Sequence, residues 1–329
     1  MTSTNNVLRQ IDGKIHQTSM PNASLKPNQV RVKITHSGFC GTDHTYMPYG
    51  IALGHEGVGT VEEVGSSVTD LNVGDRVGGG YYRGSCGKCK YCTTGRESWC
   101  YTRDMYGESN TDNGTLSDHF IAEETYLYKI PDNMPSEEAA PLQCAGATVY
   151  KALVDHIRSG DRVGIQGIGG LGHLAIQFAA KLGATVVVLS TTRSKEQEAK
   201  DFGAHEFYLM DEVEKLSAPI DLLILTGSRF PDFERFFKKE ILSRNATIVP
   251  ISGDMNQMVL PMPSTLFNGY NISPSLVADR KTHRDMLNFA AVHQIHPVIE
   301  QFPLTVEGLT EAVKKMESGH LRYRAVLAN

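Results

Sequence analysis

Between Cys40 and Glu56 the chain reads CGTDHTYMPYGIALGHE. This short stretch holds Cys40, Asp43, His44, His55 and Glu56, each able to bind a metal or carry a proton. Cys40 and His55 are ligands of the kind zinc prefers, and a catalytic zinc takes three protein ligands while keeping a fourth position open. The third ligand must therefore come from elsewhere in the chain.

The six cysteines indicate where. Cys86, Cys89, Cys92 and Cys100 crowd into CGKCKYCTTGRESWC. Four thiolates this close surround one tetrahedral zinc at about 2.3 Å per bond and close its shell, which makes that ion structural. Two disulfides or an iron–sulfur cluster are the alternatives for the same spacing. Setting those four aside leaves Cys40 and Cys144. A lone cysteine in PLQCAGATVY would ordinarily be a small buried residue, but six divided as four plus two makes Cys144 the third ligand.

A second chemistry lies in GIGGLG, residues 167–172. It follows the apolar run RVGIQ and opens a helical pattern, the context in which G-x-G-x-x-G binds a dinucleotide. Gly167 makes the tight turn, Gly169 admits the pyrophosphate and Gly172 lets helix and strand approach. The end of the next strand selects the dinucleotide. An NAD binder presents an acid to the ribose there, but this chain reads LSTTRSKE, with no acid before Glu196. The hydroxyls of Ser190, Thr191 and Thr192 with the cations Arg193 and Lys195 suit the 2′-phosphate of NADP(H). Read structurally, Arg193 and Lys195 are a solvated helix start.

These residues need two different scaffolds. At roughly 150 residues per domain, 329 residues predict two domains. The first 145 residues are β-rich and irregular, with NQVRVKITHSG alternating at Val30, Val32 and Ile34 as a half-buried strand does. From Val149 the texture changes to short apolar strands alternating with helices, with FERFFKKEILS as a helix and NISPSLV as a strand. That alternation predicts a doubly wound parallel sheet. Two amphipathic patterns, THRDMLNFAAVHQIHP and TVEGLTEAVKKMESGH, and a last strand RYRAVLA return to the first domain. The boundaries read as 1–146 and 286–329 for the first domain, with a cysteine lobe at 84–101, and 147–285 for the second.

The 32 basic and 37 acidic residues give a net charge of −5, with no Lys/Arg run, so nucleic-acid and membrane partners are set aside. No apolar run of signal-peptide length opens the chain and none of about 18 residues occurs, which predicts a cytoplasmic protein.

The stretches GHEGVG, GDRVGGG, SCGKCKYC, PLQCAGATVYKAL, GIGGLGHLAIQFA and RYRAV together resemble the zinc-dependent medium-chain dehydrogenase/reductase (alcohol dehydrogenase) family. The nearest branch is that of cinnamyl alcohol dehydrogenases and related NADPH-dependent aldehyde reductases, and the resemblance spans nearly the whole chain. It implies an α/β protein with a GroES-like β-rich catalytic domain plus a doubly wound Rossmann cofactor domain, one catalytic and one structural zinc, NADP(H), and a homodimer joined through the Rossmann sheets. Cys40, His55 and Cys144 match the catalytic ligands, and Glu56 matches an acid that approaches or ligates the zinc. Asp43 matches the acid that orients the ligating histidine, and Thr42 the hydroxyl that bonds the substrate oxygen. Cofactor contacts extend to Gly170, Leu171, Thr226, Ser252, Val277 and Arg324.

Two departures qualify this. Many relatives carry the relay histidine five positions after the first zinc cysteine, where this chain has Thr45, its histidine being His44. Read as an extended loop, the segment points adjacent side chains in different directions, so His44 is either an exposed loop histidine or a displaced relay group. His55 also follows Cys40 by only 15 positions, where relatives have about 20 or more. The segment 45–53 that walls the substrate pocket is therefore short, leaving the pocket open or filled by another loop. The other walls are expected from 101–116 and 266–280. Three functions follow: reversible reduction of a small-molecule aldehyde to a primary alcohol; reduction of an iminium or conjugated C=C bond; and a non-catalytic nucleotide-binding role, against which the intact ligands argue.

Overall fold

The turn Asp12-Gly13, both residues at positive φ (48° and 76°), folds β1 (Thr4–Ile11) onto β2 (Lys14–Pro21) as an antiparallel hairpin. The computed structural model describes residues 4–252 and 257–329. After the hairpin come β3 (Gln29–Phe39), β4 (Glu56–Val64) and β5 (Arg76–Gly80). Val30, Val32 and Ile34 are buried on one face of β3, with Val61, Val77 and Phe120 in the same core. Short strands β6 (Tyr82–Gly84) and β7 (Asp104–Met105) pair with each other beside the cysteine lobe. Strand β8 (His119–Glu123) pairs with β3, and β9 (Tyr128–Lys129) with β5.

The stretch after Cys40, read from sequence as an extended loop, is helix α1 (Gly41–Tyr46). Cys40 caps it: its sulfur accepts the Thr42 N–H, and the Asp43 carboxylate accepts the Cys40 N–H in return. Helix α2 (Ser136–Pro141) passes into a π-helical turn, Leu142–Gly146, that carries Cys144, and then into α3 (Ala147–Val154). Single π turns inside helices recur at functional sites.

The second compact unit, Thr148–Leu276, is built on a six-stranded sheet. Its strands are β10 (Arg162–Gln166), β11 (Thr185–Ser190), β12 (Glu206–Leu209), β13 (Ile220–Leu225), β14 (Leu242–Pro250) and β15 (Asn271–Ile272). All are parallel, in the order β12-β11-β10-β13-β14-β15. That order reverses between β10 and β13, and doubly wound sheets bind ligands at the carboxyl ends of the strands beside such a switch. Helix α4 (Gly172–Lys181) buries Leu174, Ala175 and Phe178, and α5 (Glu196–Asp201) follows β11. Two expectations shorten here. FERFFKKEILS forms a single helical turn, α6 (Phe233–Phe236): Phe237 leaves the helical region at φ −80°, ψ 40°, and Phe236, Phe237 and Ile241 are buried in the core from the turn that follows. NISPSLV is a regular strand over two residues only, Asn271–Ile272, although the Ser273 and Ser275 N–H groups still donate to the Ile248 and Pro250 carbonyls at 3.0 and 3.4 Å. Between them lies α7 (Met262–Asn268).

The chain returns to the first unit at Val277, ahead of the 286 read from the sequence. Asp279 caps α8 (Arg280–His293), and that helix is tied to the first unit from its first residue: Glu97 accepts the Arg280 N–H at 2.7 Å and its Nε–H at 2.9 Å. Strand β16 (Ile299–Pro303), helix α9 (Val306–Glu317) and strand β17 (Arg324–Ala328) finish the unit. The seven-stranded sheet then runs β16-β17-β3-β4-β5-β9, with β8 on β3. Among the described residues no helix is long and apolar enough to cross a membrane.

Candidate metal centre

Four groups converge in the first unit. Cys40 comes from the cap of α1, His55 and Glu56 from the start of β4, and Cys144 from the π turn. All are buried, and one ligand atom of each lies within 4.8 Å of every other. The Cys40 sulfur is 3.2 Å from His55 Nε2, while His55 Nδ1 is 3.0 Å from Asp43 Oδ1. Asp43, itself fully buried, thus accepts the Nδ1–H hydrogen bond and turns Nε2 toward the Cys40 sulfur, the second-sphere arrangement that metal-binding histidines need.

The proton chemistry of the set fits a cation. The hydrogen bond from Cys144 holds the Cys40 thiol well below the usual thiol range, and the same bond together with burial pushes Cys144 well above it. Burial works against a charged His55, but Asp43 and Cys40 outweigh it and raise its pKa well above the ordinary value. These donors hold one another's protons, and a divalent cation replaces such protons with bonds. Two sulfurs and one imidazole are a zinc set, with the Glu56 carboxylate beside them.

Glu56 is fully buried, and Arg324 Nη2 on β17 donates to both of its oxygens. Burial pushes the Glu56 carboxyl up to about 7 while Arg324 pulls it down. The guanidinium donating to both oxygens favours the carboxylate form. The close approach also fixes a neighbour: a Cβ on Gly38 would lie 1.9 Å from Glu56 Oε2, so only glycine fits there. Arg324, expected from the resemblance to contact the cofactor, is in this structure the buried partner of Glu56.

The other catalytic candidates separate. Thr42 is half-buried on the first turn of α1. His44 points away from the cluster, its Nε2 3.0 Å from Glu317 Oε1 on α9, and Thr45 Oγ1 donates to the Gly41 carbonyl at 2.9 Å. Neither reaches the metal cluster. The short 45–53 segment is backed by the stretch beyond the cysteine lobe: Ala52 N–H donates to Thr111 O at 2.8 Å and Leu116 N–H to Leu53 O at 2.8 Å. Tyr81 and Tyr106, not anticipated from the sequence, stand 5.4 Å and 4.6 Å from the His55 ring. No local pattern marks either, since both reach the site only through the fold.

In the lobe, Cys86, Cys89, Cys92 and Cys100 form the second cluster. The sulfurs of Cys100 and Cys86, and of Cys89 and Cys92, are 3.6 Å apart, with Cys86 and Cys92 at 3.9 Å. A disulfide needs about 2.05 Å, whereas these lengths match the edges of a tetrahedron around zinc.

In the second unit the glycine turn has the expected shape. A Cβ at Gly172 would lie 2.1 Å from the Gly167 carbonyl oxygen, and one at Gly169 would meet nothing within 4 Å. The first contact is the close packing that fingerprint needs, and the second is open room for a pyrophosphate. Gly170 and Leu171 complete the turn into α4. Thr226 Oγ1 donates to Gln166 O at 2.9 Å, and Lys195 Nζ to Ile168 O at 2.8 Å, which brings the end of β11 against the turn. Ser190 ends β11 with Thr191 and Thr192 exposed after it, and Arg193 is exposed beside Glu196 and Glu212. Ser252 follows β14, its hydroxyl buried without a partner among the described residues. Val277, in the first unit, holds a left-handed φ of 49°, a strained conformation for a β-branched residue.

Two family models match the chain, the alcohol dehydrogenase GroES-like domain over residues 26–132 and the zinc-binding dehydrogenase domain over 170–292. An alcohol dehydrogenase of Geobacillus stearothermophilus is 35% identical over 322 residues, 92% of each chain. The cinnamyl alcohol dehydrogenase of Sorghum bicolor matches with a TM-score of 0.91 and 28% identity over 99% of this chain and 97% of its own. CAD from Helicobacter pylori, solved with NADP(H), matches with a TM-score of 0.89 and 26% identity over 100% of this chain and 99% of its own. With its GroES-like and Rossmann domains, the chain belongs to the zinc-type medium-chain alcohol dehydrogenase family.

Proposed function

We propose that the protein is a zinc- and NADPH-dependent oxidoreductase that reversibly reduces an aldehyde to a primary alcohol. The observation that carries this is the buried convergence of Cys40, His55 and Cys144, with His55 Nε2 turned inward by Asp43. In this reading Cys40, His55 and Cys144 hold one zinc beside Glu56, and the four lobe cysteines hold a second. When bound, the first zinc supplies Lewis acidity toward the substrate oxygen and NADPH supplies hydride.

The chain's own groups do the rest. Asp43 keeps the His55 proton on Nδ1. Arg324 neutralises Glu56, so two anionic thiolates and a carboxylate do not stand uncompensated in a buried site. Thr42, on the first turn of α1, is the hydroxyl proposed to hand a proton to the substrate oxygen. Buried Tyr81 and Tyr106, against the His55 ring, exclude water beside that ligand.

Ser190, Thr191, Thr192, Arg193 and Lys195 are proposed to bind the 2′-phosphate, with the glycine turn cradling the pyrophosphate. Changing Arg193 and Lys195 together to Ala is expected to raise the Michaelis constant for NADPH by about 10- to 100-fold, at roughly 1.5–3 kcal/mol per charge-assisted bond shared between them. The constant for NADH should move by less than about twofold on the same scale. Equal changes for the two cofactors would remove the phosphate assignment.

One observation favours a second reading. With His44 on Glu317 and Thr45 on Gly41, neither residue stands ready to relay a proton. Hydride addition to a cationic iminium carbon yields a neutral amine and needs none. A screen of NADPH consumption over aliphatic aldehydes, cinnamaldehydes and cyclic iminiums, with deuterated cofactor to locate the hydride, separates the two. Turnover led by aldehydes, with deuterium on the carbinol carbon, is the expected result, and turnover of iminiums alone would replace it.

A further inference from the structure

The Asp43 carboxylate accepts four hydrogen bonds in a fully buried position. Oδ2 takes the Cys40 N–H at 3.0 Å; Oδ1 takes the Gly54 N–H at 2.9 Å, His55 Nδ1 at 3.0 Å and the Tyr106 hydroxyl at 2.7 Å. The first three donors belong to α1 and the approach to β4, the elements that carry Cys40 and His55. The fourth, and shortest, comes from a distant stretch beyond the cysteine lobe.

Tyr106 is placed there with unusual care for a residue outside regular structure. It is buried, its ring lies 4.6 Å from the His55 ring, and it meets Tyr46 edge-on at 5.7 Å. The next residue, Gly107, sits at φ 80°, and a Cβ on it would lie 2.4 Å from the Tyr46 ring, so the chain can pass only as glycine. The stretch has little secondary structure of its own to hold this shape. Arg83, also buried, holds it instead. Its guanidinium donates to Asp104 Oδ1 at 3.0 Å and to the carbonyls of Met105, Ser109, Asn110 and Asn113. All three guanidinium nitrogens are engaged, so residues 104–113 wind around one buried cation.

We propose that Tyr106 is a positioning residue for the metal, with Arg83 as its anchor: its hydroxyl fixes Asp43, and Asp43 fixes the orientation and tautomer of His55. This rests on the reading that Cys40, His55 and Cys144 hold zinc. Such outer partners change metal affinity by about 10- to 100-fold in other sites. A role in packing alone would survive Tyr106→Phe, which keeps the ring against His55 and removes only the donor.

The test is zinc release from the full chain into excess chelator, followed with a metal-sensitive dye, with the ligand-field spectrum of the cobalt-substituted protein as a second readout. Wild type is expected to release two zincs. Tyr106→Phe should speed release of one of them about 10- to 100-fold, leave the lobe zinc unchanged and shift the cobalt bands. Arg83→Lys, which keeps the charge but not the five-donor fork, should speed the same phase. Two zincs in wild type with release from Tyr106→Phe within about twofold of it would overturn the positioning role and leave the zinc reading standing. A wild type that holds only the lobe zinc would overturn both.

Discussion

Cys144→Ala is expected to purify with one zinc per chain in place of two and to lose at least about a thousandfold in turnover. Removing one of three protein donors from an open zinc site takes away the ion, and Lewis-acid stabilisation of several kcal/mol corresponds to three or more powers of ten in rate. The fold should survive, because the substitution deletes one sulfur and leaves the backbone of the π turn as it is. Zinc content by mass spectrometry, turnover and far-ultraviolet circular dichroism would report all three quantities. The residual ion should be the lobe zinc, so a second substitution at Cys89 should remove it without restoring the first. If Cys144→Ala keeps both zincs and full turnover, the ligand assignment is wrong.

Arg324→Leu is expected to destabilise the first unit by about 3–5 kcal/mol, the cost of leaving one buried charge without its partner. Glu56 is fully buried and Arg324 almost so, and Arg324 supplies the ion-pair contact to both Glu56 oxygens. The single tryptophan, Trp99, lies in the first unit and so reports its unfolding by fluorescence. The compensated double variant, Glu56→Gln with Arg324→Leu, should recover most of the loss, since neutralising both partners removes the uncompensated charge. A single variant as stable as wild type would show that the pair carries no net electrostatic weight. Recovery in the double variant also bears on turnover: if Glu56 serves only as the counter-charge of Arg324, zinc content stays at two.

Much of this protein could be read along the chain. The four lobe cysteines sit within a few residues of one another, so their spacing alone restricts them to one small volume. The glycine turn is likewise local: Gly167, Gly169 and Gly172 act within a single strand–helix junction, and the room at Gly169 and the contact at Gly172 are both as the spacing implied. Cys144 could be assigned at a distance because counting, rather than geometry, singled it out. Secondary structure was legible where periodicity was long, as in β3, α4, α8 and α9. It failed at FERFFKKEILS and NISPSLV, where the helix stops at Phe237 and the regular strand at Ile272 although the apolar pattern runs on.

What the sequence determined by itself was the kind and number of donors: two sulfurs, an imidazole and a carboxylate in one set, four sulfurs in another, and a dinucleotide turn. Only the tertiary structure decided where they point. The segment after Cys40 is a helix rather than an extended loop, and that helix carries His44 to Glu317, away from the metal cluster. Arg324 and Tyr106 reach the cluster from strands and turns far along the chain. Ligand identity is written in side-chain chemistry, which a sequence states outright. The orientation of a ligand depends on which remote groups take its second proton or balance its charge, and only the packed chain brings those groups within hydrogen-bonding distance.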